Sequence, residues 1–438
     1  MATQGSAIRS LLLVRNGVDH DARVLRAARV AERTLQGTAL VVGVATATAP
    51  AGPAIVEGVP VLRLPAYSPG LTHLAERLVR ANISLRRISG SRAAMSGAED
   101  TPSGTGAPRA TDSAPRPKLT LGGRMRRIFS GLSFSRQAVS VGLQTRPELV
   151  HANDWNTMWA GLAIKLTCGA RLIYDSHELW PDRNGRWEWR PWLLAGEALF
   201  VRAADEVITS STGYADALAG RYRVARPAVV RNIPERTEGA GGAPREDLEH
   251  DHEAPRVVYV GGLMPGRGLE QMIDALIHLP GVRLCAIGPG ATHYRASLRR
   301  RAAAAGVDDR IELRDPVAPG EVQRVLAGAA AGLCLIQPIC RSYELSLPNK
   351  LFEYAAAGVP VLASDVPVIA AVVRGEGLGE VVPAGGPRAV AASLERLLAP
   401  DGWRLAARRS REFADAQSWS AEACTLAGIY GRSARIAA

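Results

Sequence analysis

The chain has no apolar run approaching the length of a membrane span. Near its start, Leu11 to Val14 is only strand-length, and polar Asn16 follows almost at once, so no signal peptide is visible. A cytoplasmic protein is expected, at most peripheral on the inner face of the plasma membrane. Cysteine is scarce: Cys168, Cys285, Cys334, Cys340 and Cys424 are scattered, with no C-x-x-C. That excludes a disulfide framework and suggests a reducing compartment. Cys334 and Cys340 are spaced like neither a zinc site nor a redox pair, and read as packing residues. Acidic residues are outnumbered, 42 against 53 basic, for a net charge of +11. The excess is local: between Arg77 and Gln137 there are 12 Lys or Arg and 3 acidic residues. Basic residues interleaved with aromatics are missing, which argues against nucleic acid. An anionic membrane surface attracts such segments by roughly 1 kcal/mol per charge, and a merely arginine-rich exterior accounts for them equally well.

What is present is length and alternation. A chain of 438 residues, 47% hydrophobic, suits two or three domains with large cores. Strand Leu11–Val14, a helix from about Asp21 to Thr34, strand Ala39–Val44 and a strand near Val61–Leu64 open the chain. Such alternation points to an α/β fold, a parallel sheet with helices on both faces. Residues 71–88 have helical periodicity with arginines between leucines, fitting either a helix over the sheet or one lying on a bilayer. Residues 89–123 are rich in Gly, Ser, Thr, Ala and Pro, a disordered insertion by composition. The alternation resumes at Leu149–Val150 and runs to Val230. The division is therefore a first domain over 1–234, a linker over 235–254, a second domain over 255–405, and a helical tail over 406–438.

The segment Ser346 to Leu362 reads as loop, short helix, glycine stop at Gly358 and buried strand. Ser346, Asn349, Lys350 and Glu353 fall three or four residues apart and share one helix face. A helix start attracts phosphate through its free donors and dipole, and a carboxylate one turn on can accept two hydrogen bonds from a ribose diol. On spacing alone, a surface pair between Glu353 and Lys350 is the simpler reading. Upstream, Val257–Val260 runs into Gly261-Gly262, with Arg267 before the next helix, a turn that lets a diphosphate approach backbone closely. Arg267 could clamp two phosphate oxygens with its planar fork. Gly288-Pro-Gly290 ends another strand; a plain tight turn explains it nearly as well.

The segment closely resembles the donor site of the retaining, nucleotide-sugar-dependent glycosyltransferases of family four, glycosyl transferases group 1. That resemblance covers most of the chain outside 89–123 and 235–254. It implies the GT-B fold: two Rossmann-like, doubly wound parallel-sheet domains, a deep cleft between them, and a C-terminal helix crossing back to the first domain, with Trp419 and Tyr430 as anchors. It implies that Glu353 binds the nucleotide ribose and that the helix start with Asn349 and Lys350 receives the diphosphate. The family's basic pair in the glycine loop falls on Gly262 and Arg267, of which only the second is basic. Gly288 borders the nucleotide. A second family Glu, which contacts the donor sugar, falls on Leu345, with Glu344 one residue off.

In the first domain, polar groups follow strands at the edge where open α/β sheets bind ligands. Asn16, Asp21 and Arg23 follow the first strand; they match a pattern in a subgroup of the family, and Asn16 and Arg23 are acceptor-side candidates. Asp19-His20-Asp21 copies a manganese motif of another fold but lies after the wrong strand. His151-Ala-Asn153-Asp154-Trp resembles the family's His-x-His-Asp-Trp, with Asn153 in place of the second histidine. His151 is thereby a catalytic candidate, and Asn153 and Asp154 acceptor-binding ones. Asp154 serves equally as a helix cap. Tyr174-Asp-Ser-His177-Glu178 gathers ionisable groups after a strand, and His177 and Glu178 are candidates for holding the acceptor or assisting its deprotonation. A polar loop capping the next helix is the even alternative.

The resemblance implies transfer of a hexosyl or N-acetylhexosaminyl group from a UDP- or GDP-linked sugar to a sugar, lipid-linked or small-molecule hydroxyl, with retention, in polysaccharide, glycolipid or cell-envelope biosynthesis. No metal and no cofactor are required, because cations and helix dipole meet the leaving phosphates. Rival readings are a sugar-nucleotide 2-epimerase on the same fold, a non-catalytic nucleotide-sugar binder, and a basic membrane or nucleic-acid adaptor.

Overall fold

The computed structural model describes residues 7–66 except His20, 120–235, and 251–435 except His252. The helix expected over 71–88, most of the 89–123 insertion and most of the 235–254 linker lie outside these residues. The first sheet holds β1 (Ile8–Leu13), β2 (Thr38–Val44), β3 (Gly52–Val56), β4 (Val59–Leu64), β5 (Leu149–Asn153), β6 (Arg171–Ser176), β7 (Glu206–Thr209) and β8 (Ala228–Val229). Its order is β3-β4-β2-β1-β5-β6-β7-β8, parallel throughout except for the β3–β4 hairpin. That hairpin was not expected from sequence. It turns through Glu57 and Gly58, both at positive φ (47° and 81°), the backbone of a tight primed turn.

The second sheet holds β9 (Arg256–Val260), β10 (Arg283–Ile287), β11 (Ile311–Arg314), β12 (Ala331–Cys334), β13 (Val361–Ser364) and β14 (Gly379–Val382), all parallel, in the order β11-β10-β9-β12-β13-β14. In each sheet the direction of strand order reverses beside its first strand, β1 or β9. Crevices at the carboxyl ends of strands open at such points.

Apolar clusters cover both faces of both sheets. One face of the first sheet carries the helices Leu121–Thr145, Met158–Cys168 and Arg190–Ala203, joined through Phe134, Ile164, Leu193 and Phe200. The first of these starts at Thr120, whose hydroxyl accepts from the Gly123 amide. Residues 121–123, expected within the insertion, are therefore helical. The opposite face carries the helix Ala22–Leu35 and the final helix Trp419–Arg435, which buries Trp419, Leu426, Ile429 and Tyr430 there.

The tail divides later than expected. Helix Pro400–Ala416 stays with the second domain: Trp403 donates to the Ala330 carbonyl at 2.7 Å, and Phe413 stacks on Phe352 at 5.9 Å. The crossing is therefore made after Gln417, not from 406, because the apolar face of residues 400–416 is already used. All five cysteines are free; Cys334 is buried and Cys340 half-buried. Among the described residues no helix is long and apolar enough to cross a membrane.

Candidate active site

β9 ends at Val260, and Gly261 turns the chain at φ 132°. Gly288, after β10, has φ 148°, and a Cβ there would overlap the Gly261 carbonyl. Only glycine lets the two turns meet this closely. The helix Asn349–Ala356 begins after Pro348 with no side-chain cap, so its first backbone donors are not taken by a side chain. Together they border a cleft of about 570 Å³ between the domains. From the second domain Gly261, Gly288, Val317, Asn349 and Glu353 line it; from the first, Asp21, Arg23, Arg26 and Arg29 do.

Glu353 faces this cleft, and burial raises its pKa, with Lys350 and Arg26 acting the other way. Lys350 is buried behind Gly261. Its Nζ lies 3.4 Å from the centre of the Tyr259 ring, and among the described residues it has no hydrogen-bond partner. Burial lowers its pKa to about 7, against the pull of Glu353. Arg26 bonds the Ile233 carbonyl and Asn232, and lies 4.7 Å over Trp419. No sequence motif marks Arg26; the three-residue spacing of Arg23, Arg26 and Arg29 is the signal that could have found it.

Arg267 stacks over Tyr343 at 4.4 Å, half-buried, beside the glycine turn rather than in the cleft lining. Gly262 opens on free space: a Cβ there meets only Met264 Sδ, at 4.0 Å. Leu345 turns toward the first domain, packing against its core, and its carbonyl accepts from Ser211 Oγ at 2.7 Å. Glu344 does not take over its place, since it pairs with Arg341 at 2.8 Å.

The first-domain candidates separate. Asp175 is the buried hub: Arg23 grips it with two bonds of 2.9 and 3.0 Å, and His151 Nε2 stands 3.2 Å away. Burial opposes its charge, yet Arg23 and His177 hold its pKa well below the usual carboxylate range. His151 is 1% exposed, and its other nitrogen meets Tyr430 Oη at 2.7 Å. Both ring nitrogens are engaged, so in this structure neither is free to meet an acceptor. The physical reason is that β5 runs on to Asn153, which buries His151 and Asn153 within the strand instead of leaving them beyond its end. Asn153 is also buried: its amide nitrogen donates to the Leu13 carbonyl at 3.0 Å, while its Oδ1 has no hydrogen-bond partner among the described residues. Asn16 fixes its own loop, donating to Asp21 and accepting from the Val18 amide, and does not line the cleft. Asp21 also caps the helix it precedes, and Asp19 pairs with Arg63.

His177, Asp154 and Glu178 remain partly exposed together. His177 Nε2 lies 3.0 Å from Asp175 in an ion-pair contact not aligned as a hydrogen bond, and Nδ1 lies 3.6 Å from Asp154. Burial disfavours the imidazolium, but Asp175 and Asp154 outweigh it and raise the pKa to about 10. Both carboxylates thus favour the charged imidazolium at neutral pH, although neither contact is a hydrogen bond. Burial and Asp154 push Glu178 up to about 7, while Arg183, His177 and Arg267 pull it down. Glu178 therefore titrates near neutrality, within the field of a second-domain arginine.

Two parallel-sheet domains with a cleft at their facing switch points define a GT-B protein. The sucrose-phosphate synthase of Thermosynechococcus elongatus superposes with a TM-score of 0.71 at 18% identity, covering 98% of this chain and 100% of that one. Anabaena HepE, solved in complex with UDP-glucose, does so at 0.63 and 14%, covering 96% and 98%. Residues 254–400 match the family model described as Glycosyl transferases group 1, and residues 70–233 the one described as Glycosyltransferase Family 4. The chain belongs to this glycosyltransferase family. A curated D-inositol 3-phosphate glycosyltransferase from Mycobacteroides abscessus is 27% identical over 302 residues, 65% of this chain and 66% of that protein. Its Salinispora tropica counterpart is 28% identical over 315 residues, 65% and 64%. The alignments thus span just under two thirds of these relatives.

Proposed function

We propose that the protein transfers a hexosyl or N-acetylhexosaminyl group from a UDP- or GDP-linked sugar to an acceptor hydroxyl, with retention and without a metal, in making a polysaccharide, glycolipid or other cell-envelope component. The observation that carries this reading is Glu353 facing the interdomain cleft one turn from an uncapped helix start. The diphosphate rests on that helix start and on the Gly261 and Gly288 turns, with Lys350 behind them and Arg267 alongside. Glu353 accepts from the ribose hydroxyls. As the glycosidic bond breaks, phosphate charge develops against these donors and cations. The acceptor hydroxyl enters beside Asp154, His177 and Glu178, and its proton passes to a leaving phosphate oxygen, so no protein nucleophile is needed. The relatives' names, inositol 3-phosphate glycosyltransferase and sucrose-phosphate synthase, put phosphorylated polyols and sugars among the acceptors to try.

The test is a thermal-shift panel of UDP, GDP and their sugars on the full chain, repeated with Glu353→Ala and Arg267→Ala, followed by assay of nucleotide release with acceptors. Stabilisation by one nucleotide, lost in Glu353→Ala, is expected. Equal stabilisation of both variants and parent would end the reading. A second reading, a binder without turnover, is favoured by Leu345 and Glu344, neither of which offers a carboxylate to the donor sugar. Nucleotide binding with no product from any acceptor is its signature.

A further inference from the structure

We propose that Tyr343 is a positioning residue that works through two contacts: its ring holds Arg267 for the diphosphate, and its hydroxyl ties that arginine to the loop carrying Glu178. The proposal rests on the donor-site reading above. Tyr343 lies in the short helix Arg341–Glu344 of the second domain and is 7% exposed. Its ring packs against the glycine turn, where a Cβ on Gly266 would stand 3.3 Å from Cε2. Gly266 also has φ 86°, so crowding and backbone both favour glycine there. The Arg267 guanidinium carbon lies 4.4 Å from the ring centre. Among the described residues Arg267 has neither a hydrogen bond nor an ion pair. A carboxylate partner would spend its charge and its N–H donors, whereas an aromatic face attracts the cation and leaves the donors free. The ring therefore holds a guanidinium whose planar fork stays available to two phosphate oxygens.

The hydroxyl meets the first domain. Asn184 Nδ2 donates to Tyr343 Oη at 3.3 Å and lies 3.5 Å from the Pro265 carbonyl, and the hydroxyl in turn donates to Met264 Sδ at 3.8 Å. Asn184 belongs to the loop between β6 and helix Arg190–Ala203. It follows directly on Arg183, whose guanidinium pairs with Glu188 at 2.8 Å and lies 3.9 Å from Glu178. The backbone on either side of Tyr343 is fastened to the first domain as well. Tyr214 Oη donates to the Ser342 carbonyl at 2.8 Å, and Ser211 Oγ to that of Leu345. Tyr343 thus sits at a seam between the domains, in contact with the donor-side cation and with the acceptor-side loop. Glu178 lies in the same field, since Arg267 is among the charges that pull its pKa down. A diphosphate that fixes Arg267 fixes the ring and keeps the hydroxyl on Asn184, so filling the donor site steadies the acceptor loop. Tyr343 touches no substrate in this scheme; it acts through Arg267 and Asn184.

The experiment titrates the full chain with UDP and GDP and with uridine and guanosine, and follows amide hydrogen exchange with and without the nucleotide that binds more tightly. Tyr343→Leu removes ring and hydroxyl and should weaken that nucleotide about 5- to 30-fold, leaving its nucleoside unchanged. Combined with Arg267→Gln it should weaken binding no further than Arg267→Gln alone, because both act on one contact. Tyr343→Phe keeps the ring and should bind within about threefold of the parent. The nucleotide should slow exchange across residues 183–189 about threefold in the parent, and in neither Tyr343→Phe nor Asn184→Ala, by the reciprocity of coupled equilibria. Should Tyr343→Leu not fold, Tyr343→Met keeps the bulk without the aromatic face and takes its place. Parent-like nucleotide binding in the ring variant overturns the proposal, as does weakening by Tyr343→Phe equal to that by Tyr343→Leu. Equal loss for the nucleoside, additive loss with Arg267→Gln, or protection that Tyr343→Phe preserves overturns it too. If Glu353→Ala abolishes binding while Tyr343→Leu leaves it intact, this proposal alone falls. A parent that binds neither nucleotide removes the donor-site reading and this proposal with it.

Discussion

Lys350 holds its ammonium nitrogen 3.4 Å from the centre of the Tyr259 ring, sealed from water behind Gly261. Burial lowers its pKa to about 7, while the unfolded chain keeps the usual value of 10.5. Between those values the unfolded state binds more protons, so the free protein gains stability as pH rises from 7 to 10.5. A bound diphosphate reverses the preference, because it favours the charged form. UDP affinity should therefore fall by up to about tenfold per pH unit above the folded pKa, and binding should take up a proton. Calorimetry in two buffers of different ionisation heat measures that proton directly. Lys350→Gln should flatten the slope; an unchanged slope would place the titrating group elsewhere.

Glu353→Gln keeps the shape of the side chain and removes its charge. Hydrogen bonds to charged groups contribute about 1.5–3 kcal/mol, so UDP should bind roughly 10- to 150-fold more weakly in the variant. Free UMP should lose a similar factor, since it keeps the ribose. Inorganic pyrophosphate should lose almost nothing. If pyrophosphate binding weakens as much as UDP binding, the carboxylate acts on the phosphate side and not on the sugar.

The backbone geometry on the proposed donor side was legible in sequence because its determinants are local. Helix start, glycine turns and Glu353 all lie within short segments whose backbone geometry follows from residue type. The acceptor half was less so, because its determinants are register and burial. Whether His151 faces solvent depends on how far β5 runs and on Tyr430, which arrives from 279 residues away. Asp175, the hub that fixes Arg23, His151 and His177, lay inside a quoted motif yet drew no role, since only the tertiary structure shows how many cations meet there. The β3–β4 hairpin escaped notice because Glu57-Gly58 lacks the Asn or Asp that signals such turns.

Asp175→Asn should cost stability far more than it costs affinity. Arg23 and Asp175 are both almost wholly buried, and removing one charge strands the other. Breaking such a pair costs about 3–5 kcal/mol. A fall of that amount in the unfolding free energy extrapolated from urea titration is expected, with UDP affinity reduced no more than a few-fold. Because the native pKa of Asp175 is depressed, its contribution is present above pH 3.8 and is lost as pH falls further. The parent, but not the variant, should show that additional acid destabilisation.

His177 and Glu178 make opposite predictions for pH. With its pKa raised to about 10, His177 stays charged across the neutral range and contributes no inflection there. Glu178, raised to about 7, changes charge in the middle of it. If its carboxylate holds the acceptor hydroxyl, kcat/KM should rise through pH 7 and level off. Glu178→Gln should lower the plateau about 10- to 150-fold, the value of a hydrogen bond to a charged group, and abolish the inflection. His177→Gln should lower the rate while leaving the inflection in place. An inflection that survives in Glu178→Gln assigns it to another group, with Lys350 the first to examine.

Gly262 and Gly288 occupy equivalent turns after β9 and β10, yet they should respond oppositely to substitution. At Gly288, φ is 148° and a Cβ overlaps the Gly261 carbonyl, so Gly288→Ala must move one turn against the other. The expected result is a lower melting temperature by several degrees, about 2 kcal/mol or more, and loss of nucleotide binding. Gly262 has no positive φ, and its Cβ position faces open space beside Met264. Gly262→Arg therefore carries no steric penalty and adds a guanidinium next to the proposed diphosphate seat. Its planar fork can take two phosphate oxygens. UDP and GDP should bind about five- to tenfold more tightly, with uridine unchanged, because the gain acts on phosphate alone. Isothermal titration of the three ligands against parent and variant measures this, and a variant that folds normally yet binds UDP no better would move the diphosphate away from the glycine turn.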